Sequence, residues 1–253
     1  MSKLKVAYLG GRILGLQGLK ILSAYKNKVD VCFVIANKED GVKGSDWDPP
    51  ILPYAKSLGF KTAKLKSLNS KAAVKLFKSN AVDVIFNLFC NRLIPQEILD
   101  IPKLGAINFH YGKLPQYRGR FIVSHIVLNN EKKSFATAHY MSAKVDTGDI
   151  IYERSVPVLE DDSAKTLYFR FTNATLELFK KILNDLIDGK VLPRRKQKGS
   201  GHYYPFKEIN GCEINLNWKK DKVERFIRAV TFEPISRPWI RIGNLKFDII
   251  AQV

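Results

Sequence analysis

Between residues 5 and 88 the chain alternates short apolar runs with stretches of helical character, and this alternation restricts the fold more than any other feature. Residues 5–9 read as a strand, and Gly10-Gly11 turns it into a helix over 15–25. A second strand is predicted at 29–36 and a long polar loop at 37–50. A helix over 51–58 is closed by Gly59, a short strand follows at 62–65, Ser70 caps a helix through Ser79, and 82–88 is a central strand. Strands alternating with helices predict an α/β fold, a doubly wound and mostly parallel sheet. The first turn reads Gly10-Gly11-Arg12-Ile13-Leu14-Gly15. That is neither the GxGxxG dinucleotide fingerprint nor a P-loop with its Gly-Lys-[Ser/Thr], so NAD and ATP binding are excluded.

Downstream, Gly105-Ala106-Ile107-Asn108-Phe109-His110 reads as a buried strand, 120–128 as a helix, and 134–141 with 149–157 as a strand pair. Ser163 caps an amphipathic helix to Asp188, with Leu167, Phe171, Ala174, Leu178, Ile182 and Leu186 on one stripe and Gly189 as the stop. Residues 190–201 are basic and contain Gly and Ser, a linker by composition. Beyond it, 213–218 reads as a strand, 221–229 as a helix, and 234–247 as the end of a small α+β extension. The organisation is therefore a main α/β domain over 1–189 and an extension over 190–253.

Ligands of such sheets sit beyond the carboxyl ends of the strands, and three polar residues gather there. Side chains on a strand alternate faces, so Asn108 and His110 point one way while Phe109 points into the core. A second polar segment, Asp146-Thr147-Gly148-Asp149-Ile150, lies between the next two strands. An amide donor, an imidazole and a carboxylate suit acyl transfer between two nitrogens. The amide N–H of Asn108 holds the oxyanion of the tetrahedral intermediate, a contribution of about 3–4 kcal/mol. His110 moves the proton, and Asp146 tunes the imidazole or orders a proton-carrying water.

At these residues the chain resembles the folate-dependent formyltransferases. Asn108 and His110, the run Leu114-Pro115-Gln116-Tyr117-Arg118-Gly119, and Thr137-Ala138-His139 leading to Asp146-Thr147-Gly148 stand in that family's pattern. A weaker echo lies over 203–243, where Asn210 replaces a common Asp and Pro234 closes an Arg-Ala-x-x-x-x-Pro motif. The resemblance implies a Rossmann-like formyltransferase fold and N10-formyltetrahydrofolate as co-substrate, with Asn108, His110 and Asp146 as the catalytic trio. It implies a cofactor-binding set of Phe89, Cys90, Asn91, Arg92, Leu93 and Asp149, and no metal. Gly11, Tyr117, Arg118, Arg120, Tyr203 and Tyr204 are the residues implied for substrate.

Among acceptors, the sugar-nucleotide N-formyltransferases match best, through Tyr117-Arg118-Gly119-Arg120 and Asp146-Thr147-Gly148-Asp149-Ile150. They imply a UDP- or dTDP-linked amino-dideoxy sugar and a role in surface-polysaccharide (O-antigen) synthesis. Methionyl-tRNA formyltransferase is the alternative, set second because that enzyme carries a further β-barrel after these motifs and this sequence stops at Val253. Other folate-dependent formyl transferases or hydrolases come next. A basic RNA-binding module is the reading from another class, and the net charge of +18 is its support. The Lys and Arg residues are scattered apart from the dense run Arg194-Arg195-Lys196-Gln197-Lys198, which reads as a solvated linker rather than a nucleic-acid groove. Cys32, Cys90 and Cys212 are widely spaced and unpaired with His, as expected of reduced thiols in a cytoplasmic protein. The first residues lack a signal peptide's apolar region, and no run is long enough to span a bilayer. Apolar residues in the extension (Phe226, Phe232, Trp239, Ile240) suggest a homodimer surface.

Overall fold

The computed structural model describes residues 2–232 and 236–250, so Pro234 of the C-terminal motif lies outside the described residues. Strand β1 (Leu4–Gly10) leads through Gly11 into α1 (Arg12–Ala24), then β2 (Val29–Ala36), α2 (Ile51–Ser57), α3 (Lys71–Ser79), β3 (Val84–Leu88), the short α4 (Gln96–Leu99) and β4 (Ala106–Tyr111). There follow β5 (Arg118–Gly119), α5 (Ile122–Leu128), β6 (Lys133–Tyr140), β7 (Ile150–Pro157) and the 24-residue α6 (Ala164–Ile187). The remainder comprises β8 (Tyr203–Tyr204), a 3-10 segment (Phe206–Cys212), α7 (Lys220–Val230), β9 (Trp239–Ile242) and β10 (Leu245–Asp248).

Six strands form one sheet in the order β2-β1-β3-β4-β6-β7. The first four are mutually parallel. The Met141 N–H donates to the Ala106 carbonyl, and the Thr137 hydroxyl to the Gly112 carbonyl further along β4. Partners recede along β6 as β4 advances, so β6 runs against β4. Likewise Tyr140 N–H donates to Asp149 and Val158 N–H to Lys132, which makes β6 and β7 antiparallel. The sheet is mostly parallel with an antiparallel edge, as the strand–helix alternation predicts.

The chain divides into two compact units. Unit 1 holds residues 1–110, 138–152 and 175–197, and unit 2 holds 111–137, 153–174 and 198–253. In unit 1 the strands are buried on both faces. Ala7, Leu9, Phe33, Ile35 and Ile85 pack with Phe77 of α3 on one side, where Phe33 and Phe77 meet edge to face at 4.9 Å. On the other side Phe179 of α6 contacts Phe86 at 5.1 Å and Phe109 at 5.6 Å. Tyr8 also faces that way, donating to the Gly15 carbonyl of α1 (2.7 Å). Helices on both faces are what a doubly wound sheet requires.

In unit 2 the Tyr111 ring stacks on Phe171 at 5.3 Å, and its hydroxyl shares a hydrogen bond with Thr172 (2.8 Å). A separate cluster joins Ile214, Phe226 and Val230, with Trp218 meeting Phe226 at 4.9 Å. Phe226 and Phe232 are therefore interior residues, which corrects their assignment to a dimer surface. Apolar groups of the extension that face outward include Leu216 at 64% and, on the β9–β10 hairpin and just after it, Ile242 at 57%, Leu245 at 64%, Phe247 at 44% and Ile250 at 83% exposure.

Three local expectations fail for physical reasons. The helix expected from Gly15 begins at Arg12, directly after Gly11, whose N–H is held by the Leu88 carbonyl (3.0 Å). The strand expected at 62–65 shrinks to a single bridge between Thr62 and Val34. The strand expected at 213–218 does not form, because Asn215 accepts from Asn217 N–H through its side chain (2.9 Å) and from Trp218 N–H through its carbonyl (3.0 Å). That local turn outcompetes the alternating pattern. No described helix is long and apolar enough to cross a membrane.

Candidate active site

The register of the parallel strands sets the site. Leu9 pairs with Asn87, and Asn87 with Asn108, so three strands present their carboxyl ends in one row. Phe109 is buried against Phe86 and Phe179, which turns Asn108 and His110 to the opposite face, as alternation dictates.

Four side chains of unit 1 converge there. Asn108 Nδ2 lies 3.0 Å from His139 Nε2 and 3.4 Å from Asp146 Oδ1. Asp146 Oδ2 is 3.6 Å from His110 Nδ1, and its Oδ1 is 3.4 Å from His139 Nε2. The His139 Nδ1 sits 2.8 Å from the Tyr140 carbonyl, which can only accept, so Nδ1 carries the proton and Nε2 accepts from Asn108. His110, His139 and Asp146 are all buried. Screening by water is weak in such a place, and charge placement counts for more than on the surface. The expected trio is brought together, and His139 joins it as a fourth member to which sequence reasoning gave no role. Its signal was the Thr137-Ala138-His139 motif together with its place on a strand beside β4.

Asp146 reaches this position through an uncommon backbone. Its φ is +53°, in the left-handed region that a non-glycine residue adopts at a cost. Two residues on, Gly148 passes so close to β6 that an added Cβ would lie 1.8 Å from the Tyr140 carbonyl oxygen. The loop is tied internally by Ser142 and Thr147, whose hydroxyls are 2.8 Å apart, and by Thr147 donating to the Lys144 carbonyl (3.0 Å). From outside, Gln197 Nε2 donates to the carbonyls of Asp146 (2.9 Å) and Gly148 (2.8 Å). The stretch 190–201, read as a linker from its composition, is therefore anchored within unit 1 up to that residue. Arg195 exchanges two backbone hydrogen bonds with Ile150, and the Arg194 guanidinium lies 3.6 Å from the Tyr140 ring centroid.

The expected cofactor loop follows β3 in the same unit. Phe89 has φ +67°. The Cys90 N–H donates to Asn87 Oδ1 (2.9 Å), Asn91 N–H to Asn37 Oδ1 (2.8 Å), and Arg92 Nη2 to the Leu65 carbonyl (2.6 Å). Leu93 is 80% exposed. The loop backbone is thus held by side chains from two other segments while its tip stays open. Burial pushes the Cys90 thiol up to about 11, so it is no nucleophile near neutral pH. Gly11 lies against this loop, where an added Cβ would meet Asn37 Nδ2 and the Phe89 carbonyl. The neighbouring Arg12 guanidinium sits over the Trp47 and Phe89 rings at 4.9 and 5.0 Å. The carbonyl of Asp149 is occupied by Tyr140 N–H.

The other residues expected at substrate belong to unit 2. β5 pairs in parallel with β8, so Arg118 and Arg120 N–H donate to the carbonyls of His202 and Tyr204. Tyr117 stacks on Tyr204 at 5.4 Å and 9°, and donates to Glu131 (2.7 Å). Asn129 donates to both tyrosine hydroxyls. Burial raises the Tyr117 phenol well above its ordinary range. The ring faces that Tyr117 and Tyr204 turn to each other are not open to a base, whereas Tyr203 is half exposed.

Residues 4–183 match the family model described as formyl transferase. A methionyl-tRNA formyltransferase from Caldanaerobacter subterraneus subsp. tengcongensis is 27% identical over 245 residues, spanning 93% of this chain and 75% of that protein. The N-formyltransferase from Helicobacter canadensis, solved with folinic acid and dTDP-3-aminofucose, superposes with a TM-score of 0.75 at 26% identity, covering 95% of this chain and 85% of that one. WlaRD, a sugar 3N-formyl transferase solved with dTDP and 5-N-formyl-THF, gives a TM-score of 0.78 at 26% identity, covering 100% and 88%.

Proposed function

This chain belongs to the formyl transferase family, and from that premise we propose that it transfers a formyl group from N10-formyltetrahydrofolate to the amine of a dTDP- or UDP-linked amino-dideoxy sugar. The observation that carries the reading is the convergence of Asn108, His110, His139 and Asp146 at the carboxyl ends of the parallel strands. The sugar acceptor is supported by the likeness to two sugar-handling enzymes, one solved with dTDP and the other with a dTDP-amino sugar.

In this mechanism the neutral sugar amine attacks the formyl carbon, and a C–N bond forms as the carbonyl becomes an oxyanion. Asn108 turns an N–H from its protein acceptors to that oxygen. His110 takes the proton of the attacking amine, and Asp146 beside it stabilises the imidazolium so formed. Collapse of the intermediate breaks the bond from the formyl carbon to N10 of the folate, and the proton passes from His110 to that nitrogen. His139 Nε2 accepts the other N–H of that amide and so keeps Asn108 in place.

The loop around Phe89, Cys90, Asn91, Arg92 and Leu93, with Asp149, is assigned to the folate. Gly11, Arg118, Arg120 and Tyr203 are assigned to the nucleotide sugar, and Tyr117 and Tyr204 to shaping its surroundings through their stack. We further read the chain as a cytoplasmic homodimer joined through the exposed apolar face of the β9–β10 hairpin, serving surface-polysaccharide synthesis. The double variant Ile242→Glu/Phe247→Glu should then halve the mass measured by light scattering.

The test is to supply N10-formyltetrahydrofolate with dTDP- and UDP-linked amino sugars and, in parallel, methionyl-tRNA. Mass spectrometry follows the formamide while absorbance follows tetrahydrofolate. Formylation of an amino sugar is expected. Transfer to methionyl-tRNA alone would replace this reading with the second one, which the 27% identity over nearly the whole chain and the net charge of +18 favour.

A further inference from the structure

We infer that Gln197 is a positioning residue for Asp146, holding its carboxylate against His110 and His139. It lies beyond the residues that match the family model, and the inference builds on the catalytic reading of Asp146. A carboxylate 3.4–3.6 Å from two imidazoles must be aimed within a fraction of an ångström, yet Asp146 sits in a backbone conformation that relaxes unless its surroundings over-determine it. Ties within the loop run through Ser142, Lys144 and Thr147. The Gln197 amide adds a direct tie to the Asp146 backbone. One Nε2 donates to the carbonyl on either side of Thr147, at 2.9 and 2.8 Å, and so fixes the peptide planes that aim Asp146.

Gln197 is itself held. Two residues before it, Arg195 exchanges two backbone hydrogen bonds with Ile150 (2.8 and 3.0 Å), and one residue further back Arg194 stacks on Tyr140. A single antiparallel bridge between Arg195 and Ile150 thus leads into the donor side chain. Both acceptors are carbonyl oxygens, so only a donor serves there. Glutamate has the shape of glutamine but offers oxygens where N–H is needed, and its charge repels both carbonyls.

The experiment uses the full-length chain as Gln197→Glu and Gln197→Met, with Asp146→Asn as reference. Displacement of a reacting group by about 1 Å costs on the order of 10²-fold. Each Gln197 variant should therefore lose about 10- to 100-fold in kcat, with KM for donor and acceptor within about threefold and Tm changed by only a few degrees. The Met variant carries the test if the Glu variant fails to fold. NMR of the four histidine rings gives the readout that a merely structural role would not move. His110 and His139 signals should shift in both variants while those of His125 and His202, which lie in unit 2, stay in place. Wild-type kcat in the Glu variant, or unmoved His110 and His139 signals, would overturn the inference. Full activity in Asp146→Asn would instead remove the catalytic reading, and the ring signals would still report whether Gln197 sets the position of that residue.

Discussion

Replacement of Gly148 by alanine tests how closely the Asp146 loop must be placed. Its new Cβ would stand 1.8 Å from the Tyr140 carbonyl oxygen, whereas ordinary contact begins near 3.4 Å, so the loop or the carbonyl must yield by about 1.6 Å. Neither side gives without consequence. The Tyr140 carbonyl accepts the Nδ1 proton of His139, and the loop carries Asp146 two residues away. A shift of that size at a reacting group is worth on the order of 10²-fold in rate, while overpacking costs about 1–3 kcal/mol. For a chain of this length the second figure corresponds to a fall in Tm of roughly 2–12 °C. The prediction is a loss of kcat of about 10²-fold in a protein that still unfolds cooperatively, measured by steady-state kinetics beside calorimetry. Gly189→Ala is the control: it meets no atom within 4 Å but sits at φ +73°. It should lose about 1–2 kcal/mol of stability and no kcat. A Gly148→Ala enzyme with wild-type turnover would refute the argument that the loop has no room to move.

Asp146→Asn keeps the turn but removes the charge, and kcat should fall by 10²-fold or more in the estimate for general acid–base groups, with Tm nearly constant and the pH–rate profile altered in shape; an unchanged profile would leave His110 to carry the proton alone. Asn108→Ala and His110→Asn should each lower kcat by roughly 10²–10³-fold, and a folded variant of either with normal kinetics would remove that residue from the mechanism. Asp185 offers a test of stability alone. Burial works to raise its pKa, but hydrogen bonds from Lys181, Lys190 and Tyr152 win and bring it down to about 2 from the ordinary 3.8. A depressed acid stabilises the fold above the ordinary value and loses that contribution as pH falls toward 2. Asp185→Asn should therefore cost about 1–3 kcal/mol near neutrality, a difference that closes between about pH 4 and pH 2 in urea titrations; a constant gap across that range would contradict the pairing.

The parallel strands were legible because their apolar runs are bounded by Gly and polar turns, and every run over 5–88 that became a ladder was visible as such. The strand expected at 213–218 was not, since one Asn215 side chain forming a turn leaves no trace in hydrophobic periodicity. Asn108 and His110 could be placed on one face by alternation alone. His139 could not be given a partner, because a strand's own sequence does not say which strand lies beside it. Gln197 was concealed more thoroughly. Its neighbours Arg194, Arg195, Lys196 and Lys198 make the segment look solvated, and its acceptors are backbone carbonyls 49 and 51 residues away, which carry no side-chain signature.

The distances along the chain between the groups that meet at Asp146 set an order in synthesis. Asn108 and His110 leave the ribosome together with the four parallel strands, whose ladders need nothing beyond residue 111. His139 and Asp146 emerge about thirty residues later, and the segment ending in Gln197 another fifty. A nascent chain can thus carry the four parallel strands, and then the antiparallel edge of β6 and β7, before Gln197 arrives to tether the Asp146 loop. A chain cut short just before residue 197 therefore keeps the six strands of the sheet but lacks the donor that holds the Asp146 loop.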